Sequence, residues 1–97
     1  MGRMTENPAF AVTVVGKVQG VGFRTFAQKA ATRLKVTGWV ANLRDGSLAV
    51  EVVGPAIAVV EFIAALRAGP PGSVVGDLRA TPINAARVGL TGFTIRE

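Results

Sequence analysis

The hydrophobic and polar positions change period several times along this chain. Residues 1–9 are largely polar and end in Asn7-Pro8-Ala9, which predicts a loose N-terminal arm before one domain over 10–97. Phe10 to Val15 is a valine-rich run bounded by Gly16, the pattern of a buried strand. A glycine-punctuated stretch, Gly16 to Gly22, follows. From Phe23 the period lengthens. Phe23, Phe26, Ala27, Ala30, Ala31 and Leu34 lie at i, i+3, i+4, i+7, i+8 and i+11, one face of a helix. Thr25, Gln28, Lys29, Thr32 and Arg33 form its wet face.

Val36 to Leu43 and Ser47 to Val53 read as two strands joined by a hairpin turn at Arg44-Asp45-Gly46. In the second of these strands Leu48, Val50 and Val52 point one way. Glu51 points the other, toward solvent or the sheet edge. Gly54-Pro55 opens a second helix to about Arg67, with Pro in the first turn and Val59, Phe62, Ile63 and Leu66 inward. Gly69-Pro70-Pro71-Gly72 stops it. Val74 to Thr81 is a fourth strand ended by Pro82, residues 84–89 a loop, and Phe93 to Arg96 a short last strand. The order β-α-β-β-α-β, plus a short extra C-terminal strand, predicts an α+β fold. The expected architecture is a ferredoxin-like α/β sandwich with two helices on one face of the sheet.

Composition narrows the chemistry. The chain has 97 residues, 49% hydrophobic and 18% charged, which suits one folded domain. It has no cysteine and no histidine. Disulfides, thiolate metal sites, cysteine nucleophiles, Ser-His-Asp triads and imidazole ligands are therefore all excluded. Its longest apolar stretch, Ala56 to Leu66, is broken by Glu61 and too short to span a bilayer. The N-terminus lacks a signal-peptide core, so the expected location is cytoplasmic, with no membrane partner. Eleven Lys and Arg against six Asp and Glu leave a net charge of +5, which points to an anionic partner.

The loop before the first helix is suited to an anion. Gly20 and Gly22 let successive N–H groups converge, and the helix adds the positive end of its dipole. Arg24 stands in the first turn, where a cation is unfavourable unless an anion offsets it. Its guanidinium can grip two phosphate oxygens at once. The spacing is neither a Walker A loop nor a dinucleotide fingerprint. A plain strand-to-helix turn with a solvated Arg24 explains these residues about as well.

Two longer patterns bear on that choice. Gly16-Lys17-Val18-Gln19-Gly20-Val21-Gly22-Phe23-Arg24 resembles the first signature of acylphosphatases. Gly38-Trp39-Val40-Ala41-Asn42-Leu43-Arg44-Asp45-Gly46, with a strand ending in Gly54, resembles the second. Gly69-Pro70-Pro71 and Phe93-Thr94-Ile95 also fit, so the resemblance spans nearly all of 10–96. It implies a ferredoxin-like fold and hydrolysis of small acyl phosphates to carboxylate and inorganic phosphate. It implies that Arg24 and the backbone N–H groups of Gln19, Gly20, Val21, Gly22, Phe23 and Arg24 hold the phosphate. It further implies that Asn42 orients the attacking water, and that no metal or other cofactor is needed. Ala41, Val15 and Lys35-Val36 depart from the residues usual in the family at those positions.

The implied chemistry is compatible with the missing histidine. A carboxylate leaving group is stable as an anion and needs no general acid. The phosphoryl oxygens can take the proton of water, which leaves positioning and charge stabilisation to the protein. Asp45 reads as hairpin chemistry, and Glu51 lacks a partner for acid–base work. Trp39 and Phe23 read as core residues. Lys17 and Thr25 each fit either a phosphate-facing or a plain surface role.

An RNA-recognition module has the same element order, but its third strand carries stacking aromatics, and Ser47 to Val53 has none. No nucleic-acid partner is therefore expected. A regulatory domain that binds phosphate without turnover would also suit the loop. So would the acylphosphatase-like first domain of hydrogenase-maturation carbamoyltransferases, which continue into cysteine-rich zinc fingers. The expectation is a free-standing, monomeric acylphosphatase.

Overall fold

A computed structural model describes residues 7–89 and 91–96. Most of the expected arm, residues 1–6, lies outside the described residues, as do Leu90 and Glu97. The elements are β1 (Ala9–Lys17), α1 (Phe23–Leu34), β2 (Thr37–Asn42), β3 (Leu48–Val53), α2 (Ala56–Ala68), β4 (Val74–Ile83) and β5 (Phe93–Arg96). A single 3₁₀ turn, Ala85–Arg87, lies in the β4–β5 connection, where the sequence pattern predicts only a loop. The five strands form one sheet in the order β4-β1-β3-β2-β5. All neighbours are antiparallel except β2 and β5, which run parallel. The ferredoxin-like sandwich is present, and its extra strand extends the β2 edge.

The alternation in β3 determines which side chains meet the helices. Leu48, Val50 and Val52 are fully buried and join Val12 and Val14 of β1, Val40 of β2, and Phe23, Ala27, Val59, Phe62 and Leu66 of the helices. Phe62 of α2 meets Phe93 of β5 edge-to-face at 5.4 Å, which ties the last strand to this core. Gln28, on the expected wet face of α1, donates from Nε2 to the Phe93 carbonyl at 2.9 Å. Among the described residues no helix is long and apolar enough to cross a membrane.

Several boundaries differ from those the sequence predicts. Ala9 is not part of the arm: it is buried and pairs with Val53 and Ile83. Strand β1 runs past Gly16 to Lys17, with a register shift against β4 at Val15/Gly16. Pro55 precedes α2 as its N-cap rather than sitting in the first turn. Pro82 does not end β4, which continues to Ile83. As the outermost strand it has one unpaired edge, where a missing N–H is tolerated.

The largest departure is Glu51. It lies on β3, a central strand, and is only 6% exposed. The β4–β5 connection folds back over this face of the sheet, and Arg87 Nη2 donates to Glu51 Oε2 at 2.6 Å. Trp39 Nε1 donates to Glu51 Oε1 at 3.3 Å. Trp39 is thus half-buried on the face away from the helices, beneath the Arg96 guanidinium at 4.5 Å from its ring centre. A carboxylate with two donors is satisfied where an unpaired one would be costly. Arg87→Ala removes one of them. Because the Arg87 side chain is 60% exposed, water compensates in part, and we expect a loss of about 1.5 kcal/mol. Urea unfolding of wild type and variant checks this, and an unchanged midpoint would contradict it.

Candidate active site

The site is built where β1 leaves the sheet. Beyond Lys17 the chain enters the loop over 18–22, and Gly20 and Gly22 adopt φ values of +75° and +79°. This left-handed region costs most side chains about 1–2 kcal/mol and glycine little, which accounts for the residue type at both positions. Gly22 is also the N-cap of α1, so no side chain caps the helix, and its first turn contains no acidic residue. Phe23 anchors the start of α1 in the core, 2% exposed, and meets Phe26 edge-to-face at 5.7 Å. Arg24 follows at the second helical position.

Asn42 approaches from the other side. It is the last residue of β2 and pairs with Leu48 at the start of β3. The hairpin beyond it is closed by the Leu43 N–H donating to the Ser47 carbonyl at 2.8 Å and the Gly46 N–H to the Leu43 carbonyl at 3.1 Å. Asp45 accepts from the Ser47 hydroxyl at 2.6 Å and the Ser47 N–H at 3.0 Å. The hydroxyl bond first, and then the N–H bond, hold its carboxyl below the usual aspartate range. Asp45 therefore stiffens the turn, as its Asp-Gly context suggests.

Between loop and strand end lies a cavity of about 120 Å³, lined by Val18, Gly20, Gly22, Phe23, Arg24, Thr25 and Asn42. This is well above the ~10–15 Å³ that admits one water. The structure therefore brings Arg24 and Asn42, 18 positions apart in the chain, onto one cavity with three of the loop residues expected from the sequence. Gln19 and Val21 do not line it. Val18 also lines it; it falls within the first signature, which gives it no role of its own. Its buried side chain belongs to the core, and only its place at the loop's start connects it to the site. Thr25 reaches the cavity from an exposed position in the first turn. Lys17 is exposed at the end of β1 and is not part of the lining.

The Asn42 amide oxygen is buried and has no hydrogen-bond partner among the described residues. An orphaned acceptor of this kind costs about 1–3 kcal/mol unless something in the cavity donates to it. Gln19 turns its side chain the other way: its Nε2 donates to the Leu43 carbonyl at 2.8 Å and to the Ser47 carbonyl at 3.0 Å.

A larger opening, about 670 Å³, lies at the opposite end of β1 between Asn7–Phe10, Val53 and residues 82–86. It is mostly apolar and contains neither Arg24 nor Asn42. Size does not make it the reaction site, because among the described residues it has no charged group in its wall.

The fold is thus a ferredoxin-like sandwich with a small polar cavity at the N-terminus of its first helix. The acylphosphatase family model matches residues 10–95, and the chain belongs to that family. An acylphosphatase of Salinibacter ruber is 51% identical over 83 residues, covering 86% of each chain. One of Caldivirga maquilingensis is 44% identical over 86 residues, covering 88% of this chain and 90% of the other. The crystal structure of acylphosphatase from Bacillus subtilis superposes with a TM-score of 0.88 at 37% identity, over 93% of this chain and 99% of that one. The family acts on acyl phosphates and releases phosphate, so the chain is an acylphosphatase enzyme.

Proposed function

We propose that the cavity hydrolyses small acyl phosphates without a metal, with binding and water activation assigned to opposite walls. The observation that carries this reading is the buried, unpartnered amide oxygen of Asn42 on the same cavity as Arg24 and the loop glycines. The phosphoryl group sits in the loop, its oxygens held by the Arg24 guanidinium and by backbone N–H groups of the segment from Gln19 to Arg24, in which Gly20, Gly22 and Phe23 line the cavity and Gln19 and Val21 do not. The uncapped N-terminus of α1 adds its dipole to the same charge. A water donates one hydrogen bond to Asn42 Oδ1 and presents its lone pair to phosphorus.

Attack forms a bond from the water oxygen to phosphorus while the bond from phosphorus to the acyl oxygen breaks. The electron pair of the broken bond leaves on the carboxylate. The proton of the water passes to a phosphoryl oxygen. No protein group changes protonation state, which is compatible with a chain that contains no histidine or cysteine.

Among the described residues the cavity wall carries no carboxylate, imidazole or thiolate, and these are the side chains that usually hold a catalytic cation. Among the described residues no group of His, Cys, Asp or Glu is arranged to hold one. The donor chemistry supports charge stabilisation by Arg24 and N–H groups alone. Turnover of benzoyl phosphate should be the same in EDTA as in buffer containing Mg²⁺. Loss of turnover in EDTA, restored by a divalent ion, would contradict the metal-free reading.

A further inference from the structure

We infer that Gln19 is a positioning residue whose side chain sets the phosphate loop at a working distance from Asn42. This rests on the assignment of the attacking water to Asn42. Sheet pairing alone leaves that distance loosely determined. The β1–β3 ladder ends at Val14↔Leu48, and Leu48 is also the last partner of Asn42. Loop residues 18–22 therefore lie beyond the ladder that holds Asn42.

Gln19 spans this gap. Its Nε2 has two hydrogens, and the two carbonyls it meets are those of Leu43 and Ser47, at 2.8 and 3.0 Å. Leu43 is the residue next to Asn42. The Ser47 carbonyl is the one that closes the hairpin with the Leu43 N–H. The Gln19 amide therefore clasps both strands of the hairpin at the point where Asn42 leaves the sheet. Its backbone N–H is left to the loop, so removal of the side chain keeps the ring of N–H groups intact. The consequence falls on the distance between water and phosphorus rather than on phosphate binding. A misplacement of about 1 Å between reacting groups costs on the order of 10²-fold in rate.

The test is a cycle of Gln19→Ala, Asn42→Ala and the double variant, with Gln19→Glu as a second form. The glutamate keeps the length but has no N–H to offer two carbonyls. Each is assayed for kcat with benzoyl phosphate, Kd for inorganic phosphate, and Tm. We expect Gln19→Ala and Gln19→Glu to lose kcat by roughly 10- to 10²-fold. For Gln19→Ala phosphate Kd should stay within about threefold of wild type, because the binding loop keeps its own donors; Gln19→Glu adds a negative charge to the loop, so only its kcat is read for the inference.

A residue acting through Asn42 has little left to act on once Asn42 is gone. The double variant should then be no more than about threefold slower than Asn42→Ala alone. A purely structural role would lower Tm and leave kcat at 25 °C unchanged, and that result overturns the inference. Losses that multiply in the double variant also overturn it, while leaving the Asn42 assignment standing. Full activity in Asn42→Ala overturns both.

Discussion

Arg24→Gln should lose at least about three decades of kcat/KM toward benzoyl phosphate, equivalent to ~4 kcal/mol of transition-state stabilisation at about 1.36 kcal/mol per decade. The reason is charge as well as geometry. Glutamine keeps an N–H donor on a shorter side chain, and it cannot pair two phosphate oxygens with a fixed cationic fork. It also removes the positive side chain nearest to where charge shifts during displacement. Phosphate binding should weaken together with the rate, because on the proposed reading both depend on the same contact. Lysine at this position should recover part of the binding and less of the rate, since a point charge replaces a planar fork. A Gln variant within tenfold of wild type would mean that the backbone donors alone carry the phosphate.

Asn42→Ala should act differently. We expect kcat to fall by about 10²- to 10³-fold, the usual cost of losing one group that orients or stabilises the reacting atoms. Its distinguishing feature is selectivity. Asn42 comes from β2 and the N–H groups come from the β1–α1 loop. Truncation therefore leaves the phosphate ring whole. On the proposed reading the cavity gains room for water but loses the acceptor that directs one. Stability should change little, because the removed oxygen had no partner among the described residues.

The fold is legible in the sequence wherever pattern and local chemistry agree. The α1 face from Phe23 to Leu34, the Asp45-Gly46 turn and the inward set Leu48, Val50 and Val52 all follow from periods and turn residues nearby. Glu51 is misplaced by its pattern, because a lone carboxylate in an alternating strand looks solvent-facing. Its partner, Arg87, lies 36 residues further on, in a connection without periodicity. Pro82 reads as a strand end because a local rule cannot tell an edge strand from a central one.

The site is legible to different depths. Arg24 stands out on physical grounds, as a cation in the wrong half of a helix behind a glycine loop. Asn42 carries no such signal and stands out only through the second signature. Its burial without a partner belongs to the three-dimensional structure alone. For Gln19 the sequence points only to the backbone N–H. Its side chain bridges 24 and 28 positions, to Leu43 and Ser47, and no spacing rule anticipates contacts of that range.

The division of labour between loop and strand is tested most directly by one pair of values on Asn42→Ala: kcat for benzoyl phosphate and Kd for inorganic phosphate, each against wild type. The account predicts a kcat at least about 10²-fold lower with Kd within about threefold. A variant that turns over at the wild-type rate, or one whose phosphate affinity collapses in step with its rate, would contradict it.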